Sequence, residues 1–212
     1  RHAPSGIVIE NSETRSQLEN KAKAMQLLKS QLYEIELKEK LKESYKKVLS
    51  YIIIIALPSA VGISVIAPLF VPVVLGEKWE ATIPLIQIIS LASIFVSINT
   101  NSGYVFIALG KQKIVTKLMC FRLFFYLPIL YYLAQILHAY GAGLATLVTS
   151  VLLFPFNQYF LKKYISFSWF DLVEILYRPL VSSVFMWFFV GKALVFAGSL
   201  GLEEHNIAFL FF

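Results

Sequence analysis

Charge is what this chain lacks over most of its length. Asp, Glu, Lys and Arg make up 15% of its 212 residues, against roughly 25% in an average soluble domain. Residues 48–75 and 81–110 hold no charged side chain, and 123–161 holds none beyond His138. Roughly 20 apolar residues suffice to cross a bilayer as a helix, so such runs exclude a soluble core and fit membrane spans. Cysteine is nearly absent: Cys120 is the only one. It excludes an intrachain disulfide and, inside an apolar segment, reads as a small packing residue. The three histidines, His2, His138 and His205, fall in loops or at span ends. No His/Cys/Asp/Glu cluster has metal-ligand spacing and no Gly-rich phosphate loop occurs, so neither a metal nor a cofactor is expected. The first 20 residues are mostly polar and show no signal peptide.

What is present is Ile, Leu, Val and Phe in long runs, with 58% hydrophobic residues overall. Backbone groups in lipid must pair internally, which leaves helices or a closed barrel. The runs lack the two-residue alternation of barrel strands, so the expected fold is an all-α polytopic transmembrane bundle.

Residues 1–47 form a polar segment with ten Lys/Arg and seven Glu. Its first 16 residues read as loop. From Leu18 to Lys47 there is neither Gly nor Pro, and good helix formers dominate. Leu28, Leu32 and Ile35, then Leu37, Leu41 and Tyr45, make helical stripes, with Glu36–Lys40, Glu39–Lys42 and Glu43–Lys47 as supporting pairs. This predicts a surface helix resting on the membrane face and feeding the first span, with a coupling role as the sharper alternative.

Residues 48–212 divide into five complete spans and the start of a sixth. Span one begins near Val48, carries Pro58, Pro68 and Pro72, and is expected to break near 67–72, before a polar turn at Gly76–Glu80. Span two covers about 81–109, span three 114–137 and span four 142–160, the last opening on Gly141-Ala142-Gly143, which favours close packing. An interfacial helix capped by Ser168 is expected over 164–177, then span five over 179–197 with Pro179 in its first turn. A loop over 198–206 leads to a sixth span at Ile207, and a chain that starts at Arg1 and ends in that run reads as the later part of a longer transporter.

Sixteen of the nineteen basic residues fall on the side of residues 1–47, whereas the opposite side receives only Lys78, with Glu77, Glu80, Glu203 and Glu204. The positive-inside bias makes the first side cytoplasmic. Topology also explains the net charge of +6 without nucleic acid as a partner.

Two cations remain within spans, Arg122 and Lys192. A charge in a span usually faces a polar cavity, so both are candidates for substrate binding, with snorkelling to the headgroups as the alternative. Asn99, Asn101 and Gln87 are further cavity candidates; with Asn157 and Gln158 they could equally bridge helices. Asp171 and Glu174 read as a solvated face beside the headgroups rather than as catalytic carboxylates.

Leu75-Gly76-Glu77-Lys78-Trp79 after a proline-broken span, followed by Ala81-Thr82-Ile83-Pro84-Leu85-Ile86-Gln87-Ile88, resembles a signature of bacterial polysaccharide flippases. Tyr45-Lys46-Lys47-Val48-Leu49, Ala108-Leu109-Gly110-Lys111, Gly141-Ala142-Gly143 and the stretch from Arg178-Pro179-Leu180 to Met186 extend the likeness over about residues 41–190. These are the O-antigen, capsule and teichuronic-acid exporters of the multidrug/oligosaccharidyl-lipid/polysaccharide superfamily. Residues 1–30 match nothing in that family. The resemblance implies the later part of a fourteen-helix transporter, not an enzyme, in the bacterial inner membrane. It implies export of an undecaprenyl-pyrophosphate-linked oligosaccharide for surface polysaccharide synthesis, with membrane lipid, the N-terminal part of the transporter and a coupling cation as candidate partners. The alternatives are a small-molecule or multidrug cation antiporter of the same fold, which should carry acids inside its spans, and a membrane-embedded glycosyltransferase or polymerase, which needs carboxylates in large loops.

The charge distribution fixes an orientation that labelling can test. Single cysteines replacing Lys111 and Lys78, in a Cys120→Ala background, are exposed to an impermeant maleimide on intact cells. The position-78 cysteine should label and the position-111 cysteine should not. The reverse pattern overturns the orientation.

Overall fold

The structure, a computed structural model, describes residues 2–10 and 12–199, with side chains described to Ala193. Five long helices make it up: α1 (Gln17–Phe70), α2 (Ile83–Ala108), α3 (Gln112–Leu137), α4 (Ala139–Ile165) and α5 (Trp169–Ser199). Each is long and apolar enough to cross a membrane, and no strand occurs among the described residues. The chain is a multi-pass, all-α membrane protein. The expected loop beyond Ser199 and the sixth span at Ile207 lie outside the described residues.

Helix α1 starts where Ser16 caps it, the hydroxyl accepting from the Glu19 amide at 3.4 Å. It then runs for 54 residues, about 81 Å at 1.5 Å per residue. The expected surface helix and first span are therefore one continuous helix; nothing between Leu18 and Val48 breaks it, since the stretch holds no Gly or Pro. Glu34–Lys38 and Glu36–Lys40 pair along it at 3.0 and 2.7 Å. Glu39–Lys42 is not formed, because Lys42 reaches across to α5 instead.

Pro58 and Pro68 are absorbed inside α1. The break comes at Pro72, in a wide turn over Val71–Leu75 closed by the Gly76 amide on the Val71 carbonyl at 3.1 Å. Gly76 has φ +90°, a conformation side chains disfavour, and it redirects the chain into a 3-10 turn over Glu77–Thr82.

Helix α1 packs on α2 and α5, while α4 packs on α2 and α3, giving the order α5–α1–α2–α4–α3 across the bundle. The core at the α4–α5 turn gathers Tyr45, Leu49 and Ile53 of α1, Phe106 of α2 and Leu161 of α4 around Phe167, whose ring meets that of Tyr45 edge-on at 5.0 Å. Helix α3 buries Ile114 alone and leaves Met119, Phe124, Tyr131 and Tyr132 exposed.

The interfacial helix and span five expected from the sequence are likewise one helix, α5. Ser168 does cap it: its hydroxyl accepts from the Phe170 amide at 3.4 Å and its own amide donates to Asp171 at 2.7 Å. Pro179 lies inside α5, not in a first turn. Its ring removes one backbone donor without ending the helix, as membrane helices tolerate when neighbours pack around the freed carbonyl.

The turn between α3 and α4 is a single residue, His138, at φ +50°. So tight a reversal presses α4 against the end of α3: a Cβ added to Gly141 would overlap the Leu133 carbonyl, and one on Gly143 would come within 2.8 Å of Leu85 on α2. Backbone cannot yield as a side chain can. Gly141→Ala should cost about 3 kcal/mol or more, the upper range for overpacking. Gly191→Ala, where nothing lies within 4 Å, should be neutral or stabilising by up to about 1 kcal/mol. Unfolding in detergent measures both; equal stabilities would refute the tight α3–α4 contact.

Candidate binding cleft

The face where α2 meets α4 is polar although it lies between apolar runs. Asn99 and Ser102 are three residues apart, on one face of α2. Asn157 of α4 donates to the Asn99 carboxamide oxygen at 2.9 Å and accepts from the Ser102 hydroxyl at 3.1 Å, while Asn99 donates to the Ser150 carbonyl at 3.0 Å. Every member gains a partner, which hydrocarbon surroundings require.

This cluster forms part of the wall of a cleft of about 230 Å³ between α2, α3 and α4. Thr100, Gly103 and Tyr104 of α2 line it as well, and Leu118, Met119 and Arg122 come from α3. Arg122 stands ten residues into α3, about 15 Å along its axis. It makes no ion pair or hydrogen bond with any described residue, and no carboxylate lines the cleft. Lys117 lies five residues earlier, about 140° around the helix, and opens onto a separate groove with Lys113 and Cys120. Arg122 and Lys117 thus face different spaces.

The other candidate residues do not join Arg122. Asn101 points some 200° away from Asn99 and donates to the Ser97 carbonyl of its own helix at 2.7 Å. Gln87, twelve residues from Asn99 along α2, donates to the Ser64 carbonyl of α1 at 2.9 Å, tying those helices together. Lys192 lies on α5 with its ammonium 5.2 Å from the Phe188 ring centre, and α5 packs on α1 at the far side of the bundle. The structure brings together Arg122 and Asn99 alone of the five. Thr100, Tyr104 and the combination of Ser102 with Asn157 complete the cleft. Asn157, expected to bridge helices, does so; the sequence reading does not single out Ser102, although its three-residue spacing from Asn99 places both on one face of α2.

Gln158, expected as a bridge, is buried and donates to the Phe167 carbonyl at 3.4 Å, fixing the link between α4 and α5. Asp171 and Glu174 are not merely a solvated face. Asp171 accepts from Lys42 at 3.1 Å and Lys46 at 2.5 Å, and Lys46 also reaches Glu174 at 3.5 Å, so the carboxylates lock α5 to α1. Among the described residues no group of three or more His, Cys, Asp or Glu could hold a metal ion.

Comparison with known proteins divides the chain in two. Residues 36–84 match a family described as polysaccharide biosynthesis protein, and residues 1–51 match the RF-1 domain. The lipopolysaccharide biosynthesis protein WzxC of Escherichia coli K12 is 31% identical over 114 residues, 54% of this chain and 23% of that protein. An uncharacterized membrane protein in the cps region of Klebsiella pneumoniae is 26% identical over 126 residues, 59% of this chain and 26% of that protein. Peptide chain release factor 2 of Bordetella pertussis is 53% identical over 45 residues, 21% of this chain and 12% of that protein. No solved structure matches. The chain spans about a quarter of the length of its two membrane relatives.

Fold and relatives together define a multi-pass, all-α membrane protein. Part of it is similar, at modest identity, to the family described as polysaccharide biosynthesis protein and to the two bacterial membrane relatives above. Residues 1–30, which that family leaves unmatched, fall in the segment similar to release factors.

The α2–α4 cluster yields a measurable coupling. Asn99→Ala and Asn157→Ala, alone and together in an unfolding cycle in detergent, should show a coupling of about 0.6–1.7 kcal/mol, the span measured for hydrogen bonds between membrane helices. A coupling of zero would mean that the two carboxamides do not hold the helices together.

Proposed function

We propose that this chain serves in the outward flipping of an undecaprenyl-pyrophosphate-linked oligosaccharide for surface polysaccharide synthesis. The observation that carries the reading is the unpaired Arg122 guanidinium in a cleft walled by Asn99, Ser102 and Asn157. The lipid's isoprenoid tail can remain in hydrocarbon, but its pyrophosphate and hydrated sugars cannot. A lone guanidinium presents a planar fork of donors that matches a phosphate oxygen pair. The exposed Tyr104 hydroxyl at the cleft offers a donor and acceptor that can stand in for part of the sugar hydration. In such a scheme the cleft binds during alternating access, with one helix bundle rocking against another. The proposed role is transport; among the described residues the carboxylate pair Asp171 and Glu174 is engaged by Lys42 and Lys46 and lies away from this cleft. A cation antiporter fits this cleft less well, since a cation would meet Arg122 without a carboxylate.

Undecaprenyl pyrophosphate binding by the chain in neutral nanodiscs tests the reading. Arg122→Ala should weaken binding by about tenfold or more, and Arg122→Lys should retain part of it, keeping the charge but losing the bidentate fork. Equal binding by all three proteins, with unchanged helix content, would remove Arg122 from the site.

A further inference from the structure

A second cationic cleft opens at the cytoplasmic end of the bundle, between α1 and α5, and has no part in the reading above. Its volume is about 690 Å³. Lys46 and Lys47 of α1 and Arg178 of α5 border it, with Glu174 as the sole carboxylate. Glu174 is already engaged by Lys46 at 3.5 Å, and Lys46 is further held by Asp171 at 2.5 Å. Lys47 and Arg178 make no ion pair with any described residue. The cleft therefore presents two uncompensated cations held on separate helices.

Its lining changes character along the helices. Beyond the cations come the hydroxyls of Ser50 and Ser182, then Tyr51 and Ile54 of α1. Tyr51 and Ile54 are themselves exposed, as is Phe185 one turn further along α5, so an apolar surface continues from the cleft toward the membrane interior. Cation, then hydroxyl, then hydrocarbon is the sequence of a phospholipid: phosphate, glycerol ester, acyl chain. Basic pockets between helices on the cytoplasmic side suit anionic headgroups, and the acyl chains add burial that a free anion lacks.

We propose that this cleft is a binding site for one anionic phospholipid of the cytoplasmic leaflet. Its phosphate sits between Lys47 and Arg178, and its acyl chains lie along Tyr51, Ile54 and Phe185. The lipid would bridge α1 and α5 beside the Lys42/Lys46–Asp171 lock, adding a second ionic connection between the same two helices. The site does not rest on the flippase reading; it needs only the two helices and the membrane.

Titration of the full chain with phosphatidylglycerol or phosphatidylcholine in neutral micelles, read by native mass spectrometry, decides it. The first phosphatidylglycerol should bind about tenfold or more tightly than phosphatidylcholine, as two surface cations would provide. Lys47→Gln with Arg178→Gln should abolish that preference, whereas Lys47→Arg with Arg178→Lys should keep it and show that the fold survives. Ser182→Trp, which fills the cleft and leaves every charge in place, should also abolish it. Lys162→Gln with Lys163→Gln removes the same charge from α4 on the same side and should leave the preference intact. The proposal is overturned if this control pair loses as much as the site pair, which would mean diffuse attraction. It is equally overturned if Ser182→Trp binds normally, if soluble glycerol phosphate occupies the site as well as the lipid does, or if undecaprenyl pyrophosphate displaces phosphatidylglycerol at lower concentration.

Discussion

The contact between α2 and α4 is the one on which the rest of the bundle depends. Helix α3 buries a single residue and holds to the molecule chiefly through α4, so whatever seats α4 also places Arg122. Two features seat it. Gly143 lets the start of α4 approach Leu85 more closely than any side chain would allow, and Asn157 joins Asn99 and Ser102 further along the same interface. In lipid there is no hydrophobic drive to press helices together, since the tails are as apolar as Leu. Close approach and internal hydrogen bonds must do it instead. The same carboxamides that hold α4 therefore supply the polar wall opposite Arg122, and structure and site share one set of residues.

Much of this fold is legible in the sequence because membrane constraints are strict. The expected spans two, three and four show directly as α2, α3 and α4, with ends within a few residues of those expected, and Gly141 proves to be a point of close approach. What the sequence hides is where polar continuity overrides an apolar boundary. Residues 17–47 and the first span look like two elements because hydrophobicity changes at Val48, yet a helix needs only uninterrupted backbone pairing, and nothing there interrupts it. The same holds for α5, where Pro179 looks like a start signal and proves internal. The Lys42 and Lys46 contacts with Asp171 could not be read at all. More than 120 residues separate the partners, and local pairing with Glu39 or Glu43 is the nearer expectation. Of the candidate site, the in-span Arg122 and the polar spacing of α2 were visible, but which polar residues share its cleft depends on the α2–α4 register.

Helix α1 also carries the border between two families. The match to the RF-1 domain and the match to the polysaccharide family overlap over residues 36–51, inside the helix. In this chain the overlap is helical throughout, and one helix carries both matches without a linker. The overlap holds Lys42, Tyr45 and Lys46, which meet α5 and the Phe167 core. Below that point α1 is knit into the bundle. Above it, Leu28 and Leu32 form a stripe that no other described helix covers. The energetic boundary of the membrane bundle thus lies near Leu41, one or two turns before the hydrophobic boundary at Val48.

Charge placement separates the two clefts in a way that follows from depth alone. At the end of the bundle near Lys46, cations are inexpensive because water and headgroups solvate them, so several crowd there, and Lys42 and Lys46 are paired with Asp171 and Glu174. Within the bundle a single cation is costly, and one unpaired guanidinium is retained only where something polar surrounds it. Asn99, Ser102 and Asn157 spend their donors and acceptors mainly on each other, so they cannot fully solvate Arg122. The cleft is therefore left with an unsatisfied positive charge against a wall that is already satisfied. That imbalance favours an incoming anion over water, and it is what distinguishes this cleft from the rest of the polar contacts between helices.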